Sequence, residues 1–162
     1  MRITICCVGK VKEKFYCQAI DEYSKRLSRY CKLEVKEVAD EKTPDNASDT
    51  VNDIIKAKEG ERLLSCIKDE APNAEADITG ISFEEDVLAN SYIDLNPSYD
   101  ESQSDIVFVI GGSLGLDKRV LDRADFKLSF SPMTFPHQLM RVILLEQIYR
   151  SYRIMKNEPY HK

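Results

Sequence analysis

Three segments of the chain carry residue types that could bind a ligand or a nucleic acid. The first is residues 110–115, Ile-Gly-Gly-Ser-Leu-Gly, which ends an apolar run. Glycines after a buried parallel strand let the backbone approach a ligand at the carboxyl edge of a sheet. The segment matches neither GxxxxGK[ST] nor GxGxxG, so it is a poor phosphate-binding loop. A ligand loop and a purely structural turn therefore both remain open for it.

The second segment is residues 129–137, Ser-Phe-Ser-Pro-Met-Thr-Phe-Pro-His. Apolar residues alternate with hydroxyl residues here, and two prolines stiffen the backbone. Aromatic, Met and fixed backbone groups would suit the face of an adenine ring. The alternative is an ordinary connection between a strand and a helix, with Thr134 as the helix cap.

The third segment is the C-terminal Tyr160-His161-Lys162. An imidazole titrates near neutral pH and could serve as a base, although a terminal histidine can equally be unstructured. Several basic and aromatic residues lie near it in the sequence. Charge for phosphates and rings for unstacked bases are what RNA contacts use. The residues concerned are Arg150, Tyr152, Arg153, Lys156 and Tyr160.

The net charge of −5 is unevenly distributed along the 162 residues. Residues 1–36 hold nine Lys and Arg against four Asp and Glu, and residues 126–162 hold six against two. The middle of the chain is acidic, with eight against 22. If the fold or a dimer brings the two ends together, they form a positive patch on an acidic body. A solvated basic surface without a partner is the alternative.

The elements that must position these segments alternate between strands and helices. Strands are predicted at residues 2–8, 33–38, 106–110 and 126–130, and helices at 13–30, 48–68, 117–123 and 136–155. Residues 71–80 should supply a further strand but hold few strand formers, and residues 83–95 look helical. The uninterrupted apolar run 106–110 indicates a strand buried on both faces of a parallel sheet. We expect one α/β domain over residues 1–162, with a mainly parallel sheet and helices on both faces.

Composition excludes several classes of protein. No stretch approaches the ~20 apolar residues that a membrane helix needs, and the apolar start is too short for a signal peptide, so we expect a cytoplasmic protein without a membrane partner. The five cysteines show no metal-ligand spacing. We expect them to be free thiols buried as small apolar residues, with no metal bound.

The three segments occur together, in this order, in one known family. The chain resembles the RlmH family, the ribosomal RNA large subunit methyltransferase H proteins of the SPOUT methyltransferase superfamily. The resemblance spans residues 1–70 and 105–162. It rests on residues 8–10, 108–116, 128–141, 146–150 and 159–162, whose last stretch reads Pro-Tyr-His-Lys.

The resemblance implies a C-terminal trefoil knot, an obligate homodimer and S-adenosyl-L-methionine as the cofactor. It also implies N3-methylation of a pseudouridine in helix 69 of 23S ribosomal RNA on the assembled ribosome. The implied cofactor-binding residues are Ala76, Gly111, Phe130, Ser131, Pro132, Met133, Thr134 and Phe135.

Beside the family pattern, residue chemistry suggests roles in the reaction. His161 would be the base or would position the base, while Tyr160 would stack on the target or hydrogen-bond to it. Phosphates would be held by Arg141, Arg150, Arg153 and Lys162. Glu146 would pair with Arg150 within its helix.

The chain departs from the family pattern mainly between residues 71 and 104. Ala76 stands where the family usually has a leucine, Ile81 replaces a lysine, and Pro132 stands where a lysine is common. Two other classes of function stay open. One is a flavodoxin-like nucleotide or redox domain, and the other is a ribosome-binding relative that has lost the cofactor.

Overall fold

The computed structural model describes residues 1–70, 78–81, 105–124, 126–128, 130 and 134–160. The first half of the chain forms β1 (Arg2–Val8), α1 (Lys14–Leu27), β2 (Lys32–Val38) and α2 (Asp49–Glu70). The second half forms β3 (Ile78–Ile81), β4 (Asp105–Ile110), α3 (Lys118–Arg123), β5 (Phe126–Lys127) and α4 (His137–Met155).

The strands form one sheet in the order β2-β1-β4-β3-β5, and each pair of neighbours is parallel. Successive side chains of a strand point to opposite faces, so a strand buried on both sides must be apolar throughout. In β1, Ile3, Ile5 and Cys7 pack on one face of the sheet and Cys6 and Val8 on the other. The sheet therefore has a core on each face.

Helices cover both of these cores. Leu27 of α1 and Leu144 of α4 pack with Phe108 on one face, while Leu63 of α2 and Val120 of α3 pack with Val107 on the other. This confirms the predicted α/β fold with a parallel sheet between two helical layers. The strand order also differs from the 2-1-3-4-5 of flavodoxin-like domains, which argues against that alternative.

Several predicted boundaries are confirmed and others are corrected. β1 and β4 occur where the sequence predicts them, and Asp117 caps α3 by accepting a hydrogen bond from Arg119 N at 2.8 Å. The last strand is shorter than predicted, because β5 ends at Lys127. The helix predicted over residues 83–95 lies outside the described residues.

The buried faces of two helices also differ from the prediction. In α1, Phe15 is 59% exposed although its spacing assigns it to the apolar face. In α4, the core takes Met140, Leu144 and Leu145, whereas Leu139 and Val142, which the apolar spacing of the helix assigns to its buried side, are only half-buried. The apolar stripe of α4 is wide, so its periodicity does not determine which part faces the sheet.

The two ends of the chain meet in the fold. The hydroxyl of Tyr152, near the end of α4, donates to Met1 Sδ at 2.9 Å, and Lys32 N donates to Met1 O. The basic N-terminal segment therefore adjoins the basic last turns of α4. The two basic ends of the sequence can therefore form the shared positive surface that is expected if the fold brings them together.

All five cysteines are free thiols, of which Cys6 and Cys7 are buried and the other three half-buried. The Sγ atoms of Cys6 in β1 and Cys66 in α2 lie 2.6 Å apart. Burial raises the pKa of Cys7 to about 12. A thiol that stays protonated at neutral pH is a poor nucleophile, which agrees with a packing role.

Candidate active site

The glycine turn after β4 closes on itself. Gly115 N donates to Gly112 O at 3.2 Å, and Gly115 adopts a φ of +82°, in the region that favours glycine. A Cβ on Gly111 would lie 2.9 Å from the carbonyl carbon and oxygen of Gly115. Gly111 is therefore required by the turn itself, so a bulky residue there would disturb the fold of the loop as well as any ligand.

The same turn leaves space beside its last glycine. Among the described residues, no atom lies within 4 Å of a Cβ built on Gly115. β4 and β5 both pair in parallel with β3, so their carboxyl ends lie at the same edge of the sheet. The segment after β5 therefore leaves the sheet at the edge where this turn lies. An open backbone surface at this edge is where α/β proteins bind ligands.

Three described residues of the predicted cofactor segment lie after β5. Phe130 and Phe135 are half-buried and pack against the core between the sheet and α4, whereas Thr134 is exposed. Pro136, not Thr134, is the N-cap residue of α4. The remaining predicted cofactor residues, Ala76, Ser131, Pro132 and Met133, lie outside the described residues.

Arg141 is not a surface residue, which corrects its predicted role in phosphate binding. It is 1% exposed, and its guanidinium donates to the main-chain oxygens of Val8 and Gly9, each at 2.7 Å. Its other terminal nitrogen lies 2.6 Å from Glu37 Oε1. Arg141 therefore fastens α4 to the ends of β1 and β2. Because the guanidinium is buried and bound to three acceptors, a phosphate cannot reach it from solvent.

Arg153 is also engaged within the chain. Its guanidinium pairs with Glu158 Oε2 at 2.8 Å and donates to Pro159 O at 2.7 Å, and it lies 6.0 Å from the ring centroid of Tyr149. Arg153 therefore holds the segment that follows α4. Arg150 is half-buried, and its Nε has no hydrogen-bond partner among the described residues.

The end of the described chain is docked, not free. Asn157 has a φ of 53°, and Glu158 N donates to Arg153 O at 2.9 Å, so a tight turn reverses the chain after α4. The ring of Tyr160 then lies 6.1 Å from that of Tyr149, edge to face. The terminal His161 and Lys162 lie outside the described residues.

Glu146 accepts a hydrogen bond from the Tyr160 hydroxyl, which replaces the pairing with Arg150 expected from the sequence. Burial, followed by this hydrogen bond, raises the pKa of Tyr160 to about 12. The phenol is therefore neutral at pH 7 and can act as a hydrogen-bond donor. Its position joins the tail to the face of α4 that carries Arg150 and Arg153.

Basic and aromatic side chains of α1 and of the turn that follows it extend this surface. Arg26 lies 5.5 Å from the ring centroid of Tyr23 and 5.8 Å from that of Tyr149, and Arg29 lies 6.0 Å from that of Tyr30. Arginine faces over tyrosine rings are favourable cation–π contacts. The apolar spacing of residues 13–30 predicts a core role for Tyr23 and Tyr30, so the sequence alone indicated only the α4 side of this surface.

Two titratable side chains that no sequence motif marks lie at the carboxyl edge. Glu59 of α2 is 5% exposed, and its Oε2 lies 3.0 Å from the position of a Cβ on Gly112. Burial raises its pKa, although Oε1 accepts a hydrogen bond from Glu41 N at 2.9 Å. Glu59 lies four residues from both Ile55 and Leu63, so the helical spacing could have predicted that it is on the buried face of α2.

The second residue is His137, the first of α4. Its Nε2 lies 3.9 Å from the position of a Cβ on Gly9, which itself has a φ of +79°. Burial, and then the charge of Arg141, lower the pKa of this imidazole, while Asp40 opposes them. In the described part of the chain, no three His, Cys, Asp or Glu side chains form a metal site, and no helix is long and apolar enough to cross a membrane.

The chain matches one family of known proteins over almost its whole length. The family described as "Predicted SPOUT methyltransferase" matches residues 1–161. Three relatives align with this chain over 100% of both sequences, and all three are named as methyltransferases of the large-subunit ribosomal RNA. The ribosomal RNA large subunit methyltransferase H of Clostridium novyi is 59% identical, and a protein of the same name numbered 1 from Clostridium perfringens is 58% identical. A putative one from Methanococcus maripaludis is 56% identical.

A solved structure titled as a probable rRNA-methyltransferase from Porphyromonas gingivalis is also similar, with a TM-score of 0.49 and 14% identity. The match covers 95% of this chain and 69% of the other.

The family match and the fold together define a methyltransferase of the SPOUT class, and the chain belongs to that family. Within it, the full-length relatives group this chain with the ribosomal RNA large subunit methyltransferase H proteins.

Proposed function

We propose that the protein methylates N3 of a pseudouridine in helix 69 of 23S ribosomal RNA, using S-adenosyl-L-methionine. The observation that carries the proposal is the family match over residues 1–161, together with relatives 56–59% identical over their full length that are named as large-subunit ribosomal RNA methyltransferases. The substrate would be the assembled ribosome, so the reaction would be cytoplasmic.

The glycine turn after β4 fits a flat ligand such as adenosine. The open side of Gly115 and the edge shared with the segment after β5 support a binding site formed by both loops. Gly111 would keep the turn closed, and Phe130, Thr134 and Phe135 would line the loop. We include Ala76, Ser131, Pro132 and Met133 in the proposed site from the family pattern alone.

The cofactor, when bound, supplies a methyl group that its sulfonium already activates. The chain therefore has to hold the target base in line with that methyl group and to exclude water. Tyr160 would stack on the target base, or would hydrogen-bond to it by exchanging its present bond to Glu146. His161 would act as the base or position the target.

Ribosome binding would use the surface where α4 meets the chain ends. Arg150, Arg153 and Lys162 are the proposed phosphate contacts, and Arg26 and Arg29 extend the same surface. Arginine on tyrosine rings can also stack on unpaired bases, as RNA contacts require. Arg141 is left out because of its burial.

The proposal includes two further properties of the family, a C-terminal trefoil knot and a homodimer. Pooling the basic ends of two chains would enlarge the positive surface on an otherwise acidic protein. Light scattering at micromolar concentration should give the mass of a dimer, and a monomeric mass across that range would contradict this part.

The decisive experiment combines cofactor binding with product analysis. Calorimetric titration should detect S-adenosyl-L-methionine binding, and labelled methyl groups should appear in ribosomes as 3-methylpseudouridine by nucleoside mass spectrometry. Ribosomes that carry uridine at the target are the control. Binding to ribosomes without cofactor binding would instead identify a non-catalytic relative, and a methyl group on another nucleoside would refute the proposed specificity.

A further inference from the structure

His137 begins α4 at the end of β1, where hydrogen bonds join α4, β1 and β2. Arg141, one turn later in α4, binds the carbonyl oxygens of Val8 and Gly9, so the first turn of α4 is fixed against this strand end. Gly9 N donates to Val38 O at 2.8 Å, which joins the ends of β1 and β2. The imidazole Nε2 faces Gly9 in this frame.

This position is next to the glycine turn that the proposed function uses. The register pairs Cys7 of β1 with Ile110 of β4, and Val8 Cγ1 lies 3.2 Å from the position of a Cβ on Gly112. Adjacent strands lie about 4.8 Å apart, so Gly9 and the glycine turn are neighbours at one edge. A target base held at this edge, beside the cofactor on the turn, would come within reach of Nε2.

The charged groups around the His137 imidazole favour a proton acceptor, which is neutral at first and becomes charged when it takes up a proton. Burial and the Arg141 guanidinium lower the pKa of His137 below its usual value of about 6.5, so the ring is neutral at pH 7. The carboxylate of Asp40 also lies beside Gly9, with its Cγ 3.7 Å from the same Cβ position. It would stabilise an imidazolium once it forms. Neither ring nitrogen has a hydrogen-bond partner among the described residues.

We propose that His137 is a catalytic residue that accepts the N3 proton of a uracil-type base during methyl transfer. The N3–H bond breaks and its proton goes to Nε2 of the imidazole. The electron pair left on N3 forms the bond to the methyl carbon, and the methyl–sulfur bond breaks with its electron pair staying on sulfur. This inference rests on the proposed function. It leaves His161, the only other histidine, to position the nucleotide.

The pH dependence of the chemical step tests this assignment. Single-turnover methyl transfer to ribosomes should rise with pH and level off above the lowered pKa of His137. In His137→Gln the rate should fall by ~10²–10⁴-fold, the usual contribution of a general base, and this pH limb should disappear. Calorimetry should show unchanged S-adenosyl-L-methionine affinity. The surface change Lys118→Ala, at a side chain that is 83% exposed, is the control.

A rescue experiment separates proton transfer from a structural role. In His137→Ala, added imidazole should restore part of the rate, as it can reach a vacated general-base position. The assignment would be overturned if imidazole failed to restore any of the rate lost in His137→Ala. It would also be overturned if His137→Gln lost rate but kept the pH dependence of the wild type. A wild-type rate in His137→Gln would overturn it too, as would loss of the pH dependence in His161→Gln and not in His137→Gln. Wild-type protein that transfers no methyl group to ribosomes would refute the proposed function itself.

Discussion

The hydroxyl of Tyr30 donates a hydrogen bond to Glu158 Oε2 at 2.5 Å, across 128 positions of the sequence. Tyr30 follows α1, and Glu158 belongs to the segment that the turn at Asn157 folds back after α4. The same carboxylate oxygen pairs with Arg153. The contact therefore fixes the chain just before Tyr160, at the surface proposed to meet RNA.

This contact predicts that the tail contributes to stability. The Tyr30 hydrogen bond lowers the pKa of Glu158 in the folded state. Its stabilisation should therefore be present above the unfolded carboxyl pKa and be lost as the pH falls through the folded pKa. Thermal melts of Tyr30→Phe should show a lower Tm than wild type at pH 7 and a shrinking difference towards pH 3. A pH-independent difference would mean that only ring packing changed.

Deleting residues 160–162 should also lower the Tm, against the simple expectation for an exposed terminus. Tyr160 is lost from its contacts with Tyr149 and Glu146 in that variant. Removing only residues 161–162 is the matched control and should leave the Tm almost unchanged. Equal melting temperatures for both truncations would show that Tyr160 does not stabilise the docked tail.

Arg141→Met should destabilise the protein without a specific effect on RNA binding. The change removes the guanidinium that donates to the carbonyl oxygens of Val8 and Gly9, while the Glu37 carboxylate keeps its hydrogen bond from Val11 N. Removing one partner of a buried ion pair costs about 3–5 kcal/mol, and the partial exposure of Glu37 favours the lower value. Urea unfolding measures this free energy.

Ribosome binding at increasing salt separates Arg141 from the proposed surface residues. The affinity of Arg150→Ala should fall and its salt dependence should weaken, because a phosphate contact is lost. Folded Arg141→Met should keep the wild-type salt slope. A weaker slope for Arg141→Met would show that its guanidinium reaches RNA in the complex.

The two ends of the glycine turn should respond differently to alanine. In Gly111→Ala the new methyl group meets the backbone of Gly115, so both the Tm and cofactor affinity should fall. Gly115→Ala has open space and should cost only about 1–2 kcal/mol for its left-handed backbone. If adenosine approaches this face, calorimetry should still show a large loss of affinity. Unchanged affinity in Gly115→Ala would place the ligand elsewhere.

Glu59→Gln should stabilise the protein at neutral pH. Burial raises the pKa of Glu59, so the folded state disfavours its charged form. The favourable contribution of the protonated carboxyl is present below the unfolded pKa and is lost as the pH rises through the folded pKa. Urea unfolding should therefore show a gain for Glu59→Gln at pH 7 that vanishes near pH 4. Glu61→Gln, an exposed neighbour on α2, should show no such gain.

The local patterns of the sequence determined much of the architecture. Alternating and uninterrupted apolar runs predicted β1 and β4, because a strand buried on both faces has few tolerated compositions. The glycines after β4 and the prolines before α4 likewise marked the two loops at the carboxyl edge. The motifs of residues 108–116 and 128–141 also carried the family resemblance that the comparisons confirmed.

Tertiary packing decided which distant groups meet. A periodic pattern states that a helix has an apolar side but does not say which polar group can enter the core beside it, so Arg141 looked like a surface cation. The burial of that guanidinium depends on the carbonyl oxygens of Val8 and Gly9, which lie 132 or more positions away in the chain. The docked tail at Tyr30 and the edge shared by His137, Gly9 and Asp40 have the same origin. Their contacts form only after the sheet has brought separate strand ends together, and no local propensity encodes them.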